Sequence, residues 1–313
     1  MSDRENRFNK CLDTFPKHVK PILRTIALQG GMLTARQCSD LMNKLGIDLK
    51  DLMVFLLPLA RTYAVVPISR FQVGAVAMAR VRGVEDQIDL FLGANLEFMH
   101  QDLNQTIHAE QAATMHAWHR GAHCIDAVAV SEPPCGHCRQ FLYEFENRAD
   151  IKIITPVRKK LAHRQTPLSD LLPEAFGPAD LGKRNALMAR ATPDHRFRLK
   201  ADVGDRAVAE ALLAAEKSYA PYSRNFAGCA IQTGAGDIYS GRNVESAAYN
   251  PSLTPLQSAI ISLNMATFGK DPTIQRVVLV ENPTGVSQRK AVEVLLGSWA
   301  PGVELEYYEV QEI

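Results

Sequence analysis

The chain has no charge excess, no long apolar run, no low-complexity tract and too few clustered cysteines for a cross-linked protein. Its 313 residues carry 35 basic against 34 acidic side chains, a formal net charge of +1. That balance argues against a dedicated nucleic-acid binder, which needs a basic field. The strongest basic cluster, Arg158-Lys159-Lys160 with Arg164 nearby, is short and lies in a proline-containing stretch, so it reads as solvated surface. The most apolar stretch, Leu52 to Ala60, is short and interrupted by Pro58, and no membrane span is expected. Met1-Ser2-Asp3-Arg4-Glu5 is polar and no signal-peptide core follows it. Of six cysteines only Cys135 and Cys138 are closely spaced, which gives no secreted-type disulfide framework. A cytoplasmic chain with reduced thiols is the expectation. What is present is an ordinary globular composition, 46% hydrophobic, at a length that suits about two domains.

Residues 16 to 63 read as helices with short breaks. Pro21 opens one and Gly30-Gly31 ends it; Thr34 is an N-cap for 35 to 45, which Gly46 stops. Asp48 caps a third helix that Pro58 should bend or break. From Pro67 the pattern changes. Val73 to Met78 and Leu90 to Gly93 suit buried strands, joined by a long charged loop over 79 to 87. A helix from about Ile107 to Arg120, a strand from Ile125 to Val130 and a helix from Arg139 to Asn147 follow. Strand, strand, helix, strand, helix predicts an α/β layer with helices against a sheet. Five prolines between 155 and 202 mark a connector with a helical turn over Leu168 to Phe176. The expected divisions are a helical arm (1–62), a first domain (63–155), the connector (156–202) and a second domain (203–313).

The second half repeats the first. Pro67-Ile68-Ser69-Arg70 recurs as Pro221-Tyr222-Ser223-Arg224, and Gly74 as Gly228. Gly93-Ala94-Asn95-Leu96-Glu97 recurs as Gly241-Arg242-Asn243-Val244-Glu245, and Val128-Ala129-Val130 as Val277-Val278-Leu279. Carrying these offsets across pairs His108 with Leu256, Glu110 with Ser258, Cys135 with Thr284 and Cys138 with Ser287. The glycines and strand residues persist while four reactive positions are lost together, which marks those four as one functional unit.

That unit is His108-Ala109-Glu110 followed by Pro134-Cys135-Gly136-His137-Cys138. One imidazole and two thiols make three zinc ligands and leave the fourth tetrahedral position open. Zinc so held makes a water acidic enough to attack near pH 7, and Glu110 is placed to move the protons. Both ligand groups are expected at helix starts, where free N–H groups and the helix dipole favour thiolate. Cys-Gly-His-Cys alone would equally suit a dithiol redox protein; His108 and Glu110 upstream argue against that. A structural zinc site would need a fourth ligand, with His137 or Cys124 the nearest candidates. His116, His119 and His123 read as a partly exposed helix end rather than a second metal site.

His-x-Glu with Pro-Cys-x-x-Cys is a known signature of zinc nucleobase deaminases. Together with Pro67-Ile68-Ser69-Arg70-Phe71, Gly93 to Phe98, Gln105 to Gln111 and Pro134 to Phe141, it makes the chain resemble the homodimeric two-domain cytidine deaminases over nearly its whole length. The resemblance implies a three-layer α-β-α fold in two tandem copies behind a small helical arm. It implies one Zn²⁺ per chain on His108, Cys135 and Cys138, and Glu110 as the catalytic acid/base. It also implies a nucleoside substrate, with Asn95 and Glu97 on the sugar hydroxyls, Phe71 on the pyrimidine and backbone at Ala109 reading the base. Ala248 and Tyr249 from a partner subunit would complete the pocket. Apart from the resemblance, Asn95 and Glu97 alternate with Leu96 and can share one side of an extended segment, where an amide and a carboxylate suit a vicinal diol. Two other classes compete: a deaminase acting on bases within RNA or DNA, and a non-catalytic nucleoside-binding or redox protein.

Overall fold

Local signals set the ends of the N-terminal helices in the computed structural model, which describes residues 3–81, 87–157, 161–189, 195–200, 204–267 and 272–313. The basic cluster Arg158-Lys159-Lys160 and the middle of the charged 79–87 segment lie outside the described residues. Helices α1 (Asp3–Asp13) and α2 (Lys20–Leu28) lead to a short strand β1 (Met32–Leu33), then α3 (Ala35–Leu45) and α4 (Leu49–Arg61). Thr34 and Gln37 form a capping box, the Thr34 N–H donating to Gln37 Oε1 at 2.9 Å, and Gly46 closes α3 in the left-handed region at φ 65°. Asp48 Oδ1 accepts from the Asp51 N–H at 2.8 Å. Of the two outcomes expected at Pro58, a bend or a break, the break does not occur: α4 runs through it to Arg61. Burial of Leu52, Met53, Leu56, Leu57 and Leu59 outweighs a proline cost of about 3 kcal/mol.

The first sheet has strand order β1-β3-β2-β4-β5-β6. Strands β2 (Gly74–Val81) and β3 (Gln87–Ala94) form an antiparallel pair, and β4 (Ala122–Val130) lies antiparallel to β2. Strand β5 (Lys152–Pro156) runs parallel to β4, and β6 (His163–Pro167) closes the edge. Helix α5 (Ala109–His119) precedes β4 and α6 (Gly136–Leu142) follows it. Residues expected in the connector therefore supply a sheet strand, β6, and a single-turn helix α7 (Leu168–Leu171). They also supply β7 (Phe197–Leu199), which joins the second sheet.

The second unit comprises α8 (Arg206–Glu216), β8 (Ala227–Thr233), β9 (Ile238–Arg242), α9 (Pro255–Ala266), β10 (Ile274–Glu281), α10 (Arg289–Trp299) and β11 (Leu305–Glu312), in sheet order β7-β11-β10-β8-β9. Its central strands pair as those of the first do. Two glycines per copy let helices press onto both sheet faces. A Cβ on Gly74 would stand 2.6 Å from the Arg61 nitrogen of α4, and one on Gly228 2.3 Å from the Ala215 nitrogen of α8. A Cβ on Gly93 would stand 2.2 Å from the Ala113 nitrogen of α5, and one on Gly241 1.9 Å from the Ala259 nitrogen of α9. Gly74 and Gly93 sit at adjacent registers, Gly74 opposite Ala94 and Ala75 opposite Gly93, so they face opposite sides of the sheet. The result is three layers, α-β-α, in two tandem copies.

The same contacts correct the pairing of the reactive positions. Leu96 bridges Ile107, and Val244 bridges Leu253. The N-caps of α5 and α9 are His108 and Thr254. The loop before α9 is therefore two residues shorter than its counterpart, so His108 corresponds to Thr254 and Glu110 to Leu256, not to Leu256 and Ser258. The N-caps of α6 and α10 are Cys135 and Gln288, so a longer loop in the second copy moves Cys135 from Thr284 to Gln288, and Cys138 from Ser287 to Ala291. No pairing restores a ligand.

Candidate active site

Two helix starts bring the ligand set together. His108 is the extended N-cap of α5, Cys135 the N-cap of α6, and Cys138 sits one turn into α6. Cys135 Sγ lies 3.6 Å from His108 Nδ1 and 3.7 Å from Cys138 Sγ, and all three donor atoms fall within 4.8 Å of one another. Two thiolates at about 2.3 Å from a tetrahedral zinc are about 3.8 Å apart, so these residues fit the ion. Among the described residues no other His, Cys, Asp and Glu group meets that spacing. The two candidates for a fourth ligand are engaged elsewhere. His137 stacks on His108 with centroids 5.2 Å apart and lies 3.3 Å from Gln111 Nε2, while the Cys124 thiol is 3.7 Å from Asp126 Oδ1.

Without an ion the two thiols polarise each other. Hydrogen bonds from Cys138 and His108 hold Cys135 down at about 3, and donating to Cys135, with burial, pushes Cys138 well up. His108 is raised by its bond to Cys135. A divalent cation replaces both donors and favours thiolate at both positions. Glu110, on the first turn of α5, is 4% exposed, and burial raises its carboxyl above the ordinary range. The Cys138 thiol pulls it the other way, which sets the carboxyl against the ligand set.

Sequence reasoning assigned no role to Gln111, which the structure makes the anchor of the metal-side helix. Its Oε1 accepts from the His108 N–H at 3.1 Å, and its Nε2 donates to the Pro251 carbonyl of the second copy at 3.1 Å. The signal for it is the three-residue spacing of an N-cap and a capping glutamine.

Asn95 and Glu97 have internal partners. Asn95 Oδ1 accepts from the Val73 N–H and its Nδ2 donates to the Phe71 carbonyl, both at 2.9 Å. Glu97 accepts from the Ile68 N–H at 2.9 Å, the Ser69 N–H at 3.0 Å and the Ser69 hydroxyl. The pair thus fixes the 68–73 turn, in which Arg70 takes φ 58°. Glu245 holds the 222–225 turn in the same manner, Asn243 through its Nδ2 alone, with Arg224 at φ 59°. Phe71 is 53% exposed within the 68–73 turn, whereas Ala109 is buried as the first residue of α5. Ala248 and Tyr249 lie on an exposed loop, with Tyr249 in the left-handed region at φ 62°.

The three histidines form no metal site among the described residues. His116 is buried, not partly exposed as expected, and its Nδ1 donates to the Leu92 carbonyl at 2.9 Å. The ring is sealed because α5 is sandwiched between the first sheet and α9. His119 sits between the hydroxyls of Ser258 at 2.9 Å and Ser262 at 2.8 Å on α9.

Two family profiles, both described as the cytidine and deoxycytidylate deaminase zinc-binding region, match residues 37–153 and 168–293. The chain is 37% identical over 304 residues to a cytidine deaminase of Vibrio vulnificus, with 97% of each chain covered. It is 43% identical over 262 residues to one of Sodalis glossinidius, with 80% of each covered. Among solved structures, the cytidine deaminase of Mycobacterium tuberculosis matches 41% of this chain and 96% of its own at 32% identity, with a TM-score of 0.34.

Proposed function

This chain belongs to the cytidine deaminase family, and we propose that it hydrolyses cytidine and 2′-deoxycytidine to uridine and 2′-deoxyuridine, releasing ammonia, as a step of pyrimidine salvage. The observation that carries the reading is the convergence of His108, Cys135, Cys138 and buried Glu110 at two helix starts. His108, Cys135 and Cys138 would hold zinc, which would supply the Lewis acidity that activates water near neutral pH. Glu110 takes a proton from the attacking water, passes it to the ring nitrogen and returns a proton to the departing amine. Cytidine and water thus become uridine and ammonia. Burial raises the affinity of Glu110 for a proton, the direction that suits a group which must both accept and donate one.

Asn95 and Glu97 are proposed to hold the sugar hydroxyls with the hydrogen-bonding capacity left beyond the turn they fix. Phe71 is proposed to lie on the pyrimidine, and the backbone at Ala109 to read it. The exposed Ala248 and Tyr249 loop is proposed to reach the site of a second copy of this chain in a homodimer. No helix among the described residues is long and apolar enough to cross a membrane, and we propose a cytoplasmic location. The near-neutral charge argues against a polymer substrate, whose flanking nucleotides need a basic channel. An ultraviolet assay of free cytidine beside a cytosine-containing oligonucleotide tests this: rapid loss of cytidine alone is expected, and preference for the oligonucleotide would overturn it.

A further inference from the structure

The second copy keeps a cavity of about 400 Å³ where the first copy carries its ligand set. Asn243, Glu245 and Ser223 line it, the counterparts of Asn95, Glu97 and Ser69, with Thr254 and Gln288 in the places of His108 and Cys135. Metal binding and proton transfer are gone: the lining contains no thiol, and Leu256 stands where Glu110 does. The size remains that of a small-molecule site, which runs from about 300 to 1,000 Å³.

The polar groups of this cavity are not all used internally. In the first copy Asn95 Oδ1 accepts from the Val73 N–H. In the second the corresponding N–H, that of Ala227, goes to the Ser218 hydroxyl at 3.2 Å. Asn243 therefore keeps its Nδ2 on the Asn225 carbonyl at 3.1 Å and leaves its Oδ1 with no hydrogen bond among the described residues. Ser252, also in the wall, accepts from the Ser246 N–H at 2.9 Å and retains its own hydroxyl proton to donate. Leu253, Val286 and the Tyr249 ring provide apolar surface. Among the described residues the one charged side chain in the lining is Glu245, and no Lys or Arg lines it, so a phosphorylated ligand meets repulsion with no compensating cation there.

We propose that this cavity binds one uncharged pyrimidine nucleoside, substrate or product, without converting it. The ligand class rests on the cytidine reading of the first copy; the neutrality rests on the cavity itself. The test is titration calorimetry of the zinc-loaded protein with uridine, which the zinc site does not consume. Two uridines per chain are expected in the wild type. Val286→Trp, at a rim position that is 44% exposed, and Ser252→Phe should each lower that to one while cytidine turnover stays within about twofold. Uridine 5′-monophosphate should leave this second site empty. One uridine per chain in the wild type, or two that neither variant reduces, would overturn the proposal. If the wild type turns over no cytidine yet binds a uridine that Val286→Trp abolishes, the cavity assignment stands and the cytidine reading of the first copy falls.

Discussion

Gln111 and Gln257 hold the two copies together reciprocally. Gln111 Nε2 donates to the Pro251 carbonyl at 3.1 Å, and Gln257 Nε2 donates to the Gln105 carbonyl at 2.8 Å. Each also accepts, through Oε1, the N–H of its own helix N-cap, His108 at 3.1 Å and Thr254 at 2.9 Å. Either change to Ala should cost about 1–3 kcal/mol of stability, read as a lower urea midpoint. Zinc retention against a chelator should fall only in Gln111→Ala, because only that residue positions a metal ligand. Equal zinc loss in both variants would contradict the asymmetry.

Removal of the metal should expose a reactive pair. The 3.7 Å between Cys135 Sγ and Cys138 Sγ is far longer than a disulfide bond of about 2 Å. Chelation should abolish turnover and make Cys135, held down at about 3, the first thiol to be alkylated. Buried Cys138 should follow slowly. Activity should return when zinc is added before alkylation and not after. Alkylation of the zinc-loaded protein at the same rate would be inconsistent with thiolate ligation.

Acid should destabilise the fold through His116. Burial lowers it to about 4, with Arg120 adding to the effect. In the unfolded chain it titrates near about 6.5, so between the two values the unfolded state binds the extra proton. The contribution is intact above pH 6.5 and is lost as pH falls toward 4, at up to about 1.4 kcal/mol per pH unit. His119, lowered in the same direction by burial, adds to the slope. Urea midpoints across this range should show it, and His116→Leu should remove part of it. An unchanged slope in that variant would assign the titration elsewhere.

Glu144 should matter to stability although it touches no ligand. Its Oε1 accepts from the Tyr219 hydroxyl at 2.7 Å and the Tyr222 hydroxyl at 2.5 Å, and its Oε2 accepts from the Ala247 N–H at 2.8 Å. These three donors belong to the second copy, and Glu144 is fully buried. Glu144→Ala leaves the Tyr222 hydroxyl and the Ala247 N–H unpaired and the Tyr219 hydroxyl with only the Asn185 carbonyl at 3.3 Å, and should cost about 2–4 kcal/mol. An unaltered melting temperature would mean that water replaces the carboxylate.

The sequence made the ligand set legible because metal chemistry demands particular atoms at helix starts, and N-cap positions leave local signals. The repeat was equally legible, since Gly74, Gly93, Gly228 and Gly241 sit where helix backbone leaves no room for a Cβ. Residue pairing within the repeat was not: loop lengths change between strand and helix, and only the Leu96–Ile107 and Val244–Leu253 bridges fix the register. Helix α5 hid its orientation because residues 109 to 117 are all buried, which erases amphipathic periodicity. Whether Pro58 breaks its helix was not legible, because the local penalty is outweighed by burial that sequence pattern does not weigh. Asn95 and Glu97 carried two meanings, and their turn-fixing bonds become visible only in three dimensions.

Glu110 is proposed to move protons beside a zinc it does not hold. Glu110→Gln keeps the shape of the side chain and removes its acid/base capacity. Zinc content and the ultraviolet rate of cytidine loss should be measured on one sample of this variant beside the wild type. One zinc per chain with turnover reduced by a factor of about 10² to 10⁴ or more is the predicted result. Full activity, or loss of zinc in step with loss of activity, would contradict it.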